Sequence, residues 1–224
     1  MENKPYEESI VEIKKYLSLF EKRITPSIDK ENTSQISKIP YKLLSLRALY
    51  QIRICDLGHA SLLLYTKKAY VPAFVLTRAV METVAMFYVC FLKVSTSITE
   101  NCVNKIDEFL MQALLGTRDG TGSVKHYNAV TAVQHVGKRN KAFEELYLGL
   151  CEFTHPNWAG VSLAYSEQID EGHMELKTIN DPSFVDIIGI KPLMASLMLF
   201  DELYQEIEYL IPKFTEVCEN KIES

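Results

Sequence analysis

The sequence predicts a mostly α-helical bundle of about five or six helices in one domain, with a small β-hairpin near residues 161–179. Three observations carry this. Apolar residues recur at steps of three and four along most of the 224-residue chain, which is the period of a helix with one buried face. Nine glycines and eight prolines are few against the many Leu, Ile, Lys and Glu, a composition that favours helix. No strand–helix alternation, internal repeat or low-complexity tail appears, so a parallel-sheet fold is not indicated.

Residues 1–26 hold Tyr6, Ile10, Ile13, Leu17, Phe20 and Ile24 in a narrow stripe with Glu and Lys between, an amphipathic helix ending near Thr25-Pro26. Such a stripe suits packing on another helix, either of a second subunit or of this chain's own core. Residues 27–38 are polar and aperiodic and read as a loop. Pro40 suits a first helical turn, and a long helix follows with Leu43, Leu44, Leu46, Leu49, Ile52, Ile54 and Leu62 among its apolar members. In it Arg53 and Asp56 are spaced to pair.

The organising stretch is residues 69–94, AYVPAFVLTRAVMETVAMFYVCFLKV, apolar all round with only Arg78 and Glu82 charged before Lys93. A helix of this kind is either buried or spans a membrane. A charge at the centre of a span costs about 2.5–3.5 kcal/mol, and here two fall near the middle, so a buried helix is expected. Residues 184–200 are interrupted by Asp186, Lys191 and Pro192, so no second span is expected either. Arg78 and Glu82, four apart, stack on one face; in a core they would have to be paired.

After Lys93 the run STSITENCVNK reads as a turn, and a shorter helix runs from about Val103 to Leu115. GTRDGTGS (116–123) reads as a solvent loop rather than a nucleotide site, since no strand leads into it and neither GxGxxG nor GxxxxGK[ST] is present. Residues 124–151 form a helical stretch broken near Gly137, with Val130, Val133, Val136, Phe143, Leu146 and Leu150 inward. Pro156 ends it. VSLAYSEQ and MELKTI flank IDEGH as a hairpin, and Asp181-Pro182 opens the C-terminal helix of residues 181–219, with Pro192 as a kink or the true start.

A net charge of −5 argues against a general polyanion binder and leaves room for a local basic patch. One such island exists: Arg118, Lys125, Lys138, Arg139 and Lys141 face Asp119 alone among acids, so Arg118, Lys125, Lys138 and Arg139 are the candidate phosphate contacts. Five cysteines without a CxxC pair indicate neither disulfide framework nor zinc site, and neither HExxH nor a carboxylate-bridge ExxH is present, so no metal or cofactor is expected. An acidic N-terminus without a leader-like apolar run points to the cytoplasm. Tyr147, Cys151 and His155 share one helix face, with Cys151 and His155 close enough to meet.

The R-x-x-x-E of Arg78 and Glu82, followed by the Y-x-x-x-C-x-x-x-H-P of Tyr147, Cys151, His155 and Pro156, resembles a group of bacterial helical proteins related to the HEPN superfamily. The resemblance covers about residues 40–160. It implies a helical bundle, often a homodimer, and in many members a metal-independent RNase of toxin–antitoxin or phage-defence systems. In those nucleases an arginine precedes the catalytic histidine by four to six residues, whereas Leu148, Gly149 and Leu150 before His155 include none. The resemblance points to His155 as proton-transfer group; the missing cation is then expected from another helix, as Arg78 oriented by Glu82, with Tyr147 beside them. Two rival expectations stand: a non-catalytic interaction module with a buried structural Arg78–Glu82 pair, and a bundle binding a small molecule or nucleotide between helices.

Overall fold

The fold is built around the apolar stretch. The computed structural model describes residues 4–119 and 121–220, and in it α3 (Tyr70–Glu100) packs on α2 (Ile39–Thr66), α4 (Asn104–Leu115), α5 (Ala129–Gly137), α6 (Lys141–Thr154) and α8 (Lys191–Asn220). Helix α1 (Lys4–Lys22) lies against α2 and α8. Between α6 and α8 the chain forms a π-helical turn (Trp158–Leu163), the antiparallel strands β1 (Ser166–Asp170) and β2 (His173–Leu176), the single turn α7 (Pro182–Val185) and a π-helical stretch (Asp186–Ile190). The class is therefore mostly helical with one small hairpin, and one contiguous core runs from Ile13 on α1 to Cys218 on α8.

The stripe on α1 is used inside the chain: Ile13, Leu17 and Phe20 are buried, while Ile24 lies beyond the helix end and is exposed. On α2, Leu43, Leu46, Ile54 and Leu62 are buried, but Leu49 and Ile52 face outward. Arg53 does not pair with Asp56; its Nε donates to the Thr83 hydroxyl on α3 at 3.1 Å. Val130, expected inward on α5, is also exposed.

Helix α3 runs through the expected turn after Lys93. The hydroxyls of Ser97 and Thr99 donate to the carbonyls of Lys93 and Ser95 at 2.7 and 3.0 Å, so these residues satisfy themselves within the helix. Val94 and Ser97 are buried, and tertiary packing thus overrides the weak local propensity. Asn101, in the left-handed region at φ 48°, caps the end. The stretch 124–151 is two helices, split at Gly137–Asn140, and the first half of VSLAYSEQ is π-helical rather than strand.

Asp181 caps α7 by accepting from the Ser183 N–H at 2.9 Å. From Pro182 the helix continues to Asn220, because Pro192 follows directly on a π-helical stretch where the regular ladder is already interrupted. By length and composition, then, two helices among the described residues are long and apolar enough to cross a membrane, Tyr70–Glu100 and Pro182–Asn220, with 61% and 50% of their most apolar stretches buried in the fold. The second was not expected, since Asp186, Lys191 and Pro192 do not break it.

Candidate functional site

Helix α6 presents one side to α3 because Phe143, Tyr147, Leu150 and Phe153 recur at helical spacing and are all buried. Asn140 sets the start of that helix, its side chain accepting from the Phe143 N–H at 3.3 Å. On the facing side of α3, Arg78 and Glu82 pair as their spacing requires, Nη2 to Oε1 at 3.0 Å. The Tyr147 hydroxyl lies between them: it donates to Glu82 Oε1 at 2.8 Å and accepts from Arg78 Nε and Nη2 at 3.4 and 3.3 Å. Arg78 Nη1 donates to the Thr154 hydroxyl at 3.2 Å, which itself donates to the Cys151 carbonyl at 2.9 Å.

The pair is not sealed in the core. The Arg78 and Glu82 side chains each keep 28% of their surface exposed, so water reaches the cluster. Tyr147 is almost wholly buried, and burial raises its pKa above the ordinary value, the hydrogen bond to Glu82 adding to this and that from Arg78 opposing it. For Arg78, burial works to lower the pKa, but the bond to Tyr147 and the charge of Glu82 outweigh it and hold the guanidinium firmly protonated. The cluster is a net-neutral clamp from α3 to the last turn of α6, where a cation also suits the helix dipole.

His155 stands just beyond, in extended backbone at the end of α6, and is exposed. Among the described residues its ring bonds to neither Arg78 nor Cys151. The turn that carries it is fixed: the Asn157 N–H donates to the His155 carbonyl at 2.8 Å, and the Asn157 side chain accepts from the Gly160 N–H at 3.0 Å. A Cβ at position 160 would lie 2.0 Å from that same carbonyl, so only glycine fits. The turn leaves Trp158 71% exposed at the start of the π-helical segment, a local form frequent at functional sites.

Among the described residues none of the four basic candidates bonds to this cluster. Arg118 and Lys125 are exposed at the base of the glycine loop, where the Thr117 N–H donates to the Val124 carbonyl at 3.0 Å. Lys138 and Arg139 are exposed in the α5–α6 turn, before the first residue of the 14-residue α6, whereas Thr154 is its last. That length of helix is about 20 Å. The structure thus brings together Arg78, Glu82 and Tyr147, sets His155 beside them unbonded, and leaves Lys138 and Arg139 at the other end of α6. Thr154 and Trp158 were not singled out from the sequence. Thr154, seven residues after Tyr147 on the same face, was legible as a partner; nothing marked Trp158. Among the described residues no group of three or more His, Cys, Asp or Glu is placed to hold a metal.

No protein-family model matches the chain, and neither a curated protein nor a solved structure matches it.

Proposed function

We propose that this chain is a HEPN-like, RNA-directed helical protein of the cytoplasm, in which His155 serves metal-independent RNA cleavage beside the Arg78–Glu82–Tyr147 cluster. One observation supports this above the rest. The separated halves of the motif converge on one partly exposed cluster, Tyr147 lying 69 residues from Arg78 and 65 from Glu82 in the sequence, with a solvent-exposed histidine one residue past Thr154. In this reading His155 moves the proton at the RNA 2′-hydroxyl or leaving oxygen, a role worth about 10²–10⁴-fold. Arg78 stabilises phosphate charge, and exposed Trp158 offers a face on which an unpaired base stacks. The burial of most of α3's apolar stretch favours a core helix over a membrane span.

A second reading has its own support. Glu82, Tyr147 and Thr154 already occupy the Arg78 guanidinium and Glu82 neutralises it, as in a structural clamp of a non-catalytic interaction module. Cleavage of single-stranded RNA in EDTA, by the wild type and by His155→Ala, separates the two. Cleavage lost only in the variant, at unchanged melting temperature, supports the nuclease; no cleavage by the wild type leaves the clamp.

A further inference from the structure

A groove of about 580 Å³ is lined by Met81 from α3, Phe143 and Leu146 from α6, and Met198 and Leu199 from α8. A smaller recess of about 240 Å³ adjoins it, sharing Asn140, Leu199 and Glu202 and adding Arg139. The combined space falls in the usual range of small-molecule sites, which are mostly apolar with a few placed polar groups. Its charges are the informative part. Asp201 in the groove wall is already used, bonded to Arg23 at 2.5 Å and to Gln205 at 2.8 Å. Glu202 and Arg139, of opposite sign and both lining the recess, make no ion pair with each other or with any other described residue.

A ligand carrying only an ammonium would meet Glu202 and be repelled by Arg139; one carrying only a carboxylate would meet the reverse. A zwitterion satisfies both. The carboxylate has further support, because α6 starts at this rim: Asn140 caps it and Ala142 lines the groove, so the positive end of a 14-residue helix adjoins Arg139. We propose that this groove binds a small zwitterion of the amino-acid type. Its carboxylate lies on Arg139 and the α6 N-terminus, its ammonium on Glu202, and its apolar side chain among Phe143, Leu146 and Met198. The site uses neither His155 nor the Arg78 cluster and shares with the RNA reading only Arg139, one of the candidate phosphate contacts.

The test is an NMR titration of the full ¹⁵N-labelled chain with L-phenylalanine, 2-phenylethylamine and 3-phenylpropanoate in parallel. The expected result is saturable shifts at Asn140, Ala142 and Leu199 with L-phenylalanine, and binding weaker by about tenfold or more for either singly charged analogue. Glu202→Gln and Arg139→Gln, both at exposed positions, each weaken L-phenylalanine by a similar factor at unchanged melting temperature. No saturable shift in the millimolar range overturns the proposal. So does a singly charged analogue that binds as tightly, or a substitution that leaves affinity unchanged.

Discussion

Thr77 and Arg78 are neighbours in the sequence and belong to opposite kinds of polar site. Successive helical residues point about 100° apart, so α3 turns Thr77 toward α2 and Arg78 toward α6. Each meets a tyrosine from the facing helix. Around Thr77 everything is sealed and neutral: its hydroxyl bonds to Tyr65 at 2.8 Å and Ser61 at 2.9 Å, and Ser61 also reaches the Ala73 carbonyl at 3.2 Å. Thr77 and Ser61 have no exposed surface and Tyr65 has 1%. Around Arg78 the groups are charged, the bonds from its guanidinium run from 3.0 to 3.4 Å, and water has access. A buried polar group must be satisfied or it costs its full desolvation, so the Thr77 network fixes register and little else. The Arg78 cluster is cheap to open, so a change there costs the fold little.

The comparison is tested most strongly where the sealed network meets the π-helical stretch before α8. Gly189 packs so closely that a Cβ there would lie 2.3 Å from the Tyr65 hydroxyl and 2.6 Å from a Phe74 ring carbon. Gly189→Ala therefore overpacks a rigid core, at a cost of about 2–3 kcal/mol, or about 5–10 °C in melting temperature for a chain of this size. Calorimetry checks the loss. Cleavage per folded molecule, if RNA is cleaved, stays unchanged.

Next in size is Tyr65→Phe. It removes one hydroxyl from the sealed network and leaves Thr77 bonded to Ser61. The expected loss is about 1–2 kcal/mol by urea unfolding, and it is insensitive to salt because no charge is involved.

The two sites differed in how far the sequence revealed them. Arg78, Glu82 and Tyr147 were legible because charges in an apolar helix need a partner, and the spacing of α6 turns Tyr147 to the same side as Phe143 and Leu150. The partial exposure of Arg78 and Glu82 was not, since it depends on where α6 ends and how the HPNWAG turn leaves. The Ser61–Tyr65–Thr77 network left no signal: neutral hydroxyls in an apolar run look like ordinary helix composition until a neighbouring helix supplies the other half. The same logic covers the fold. The buried helices, the hairpin and the Asp181 cap follow from local pattern. The extension of α3 to Glu100 and the helix through Pro192 follow from packing and a π-helical stretch that no periodicity encodes.

Tyr147→Phe is the substitution that can break the comparison. It takes the same atom from the open cluster that Tyr65→Phe takes from the sealed one. Glu82 and Arg78 stay paired and water replaces the lost bond, so the expected loss is about 0.5–1 kcal/mol, reduced further at about 1 M salt, where the screening length is about 3 Å. A loss equal to that of Tyr65→Phe would assign the cluster to stability alone and favour the structural clamp over the nuclease.

The smallest expected effect lies on the alkaline side. Burial raises the pKa of both tyrosines above the ordinary value of about 10, with Tyr6 at about 12 as a less buried reference. In the unfolded chain these hydroxyls ionise near pH 10, while the folded chain holds its protons longer. Between those values the folded state binds more protons, so stability falls as pH rises. The contribution is whole below about pH 10 and is lost as pH climbs through the folded values. Urea midpoints at about pH 9 and pH 10.5 should therefore fall less in Tyr65→Phe and in Tyr147→Phe than in the wild type. Burial dominates at both sites, opposed by the Arg78 bond at Tyr147 and by the Thr77 and Ser61 bonds at Tyr65, so the two variants change to a similar extent. An alkaline slope in Tyr147→Phe equal to the wild type's would mean that this hydroxyl ionises as freely as in water, and the open cluster would then be looser than its hydrogen bonds imply.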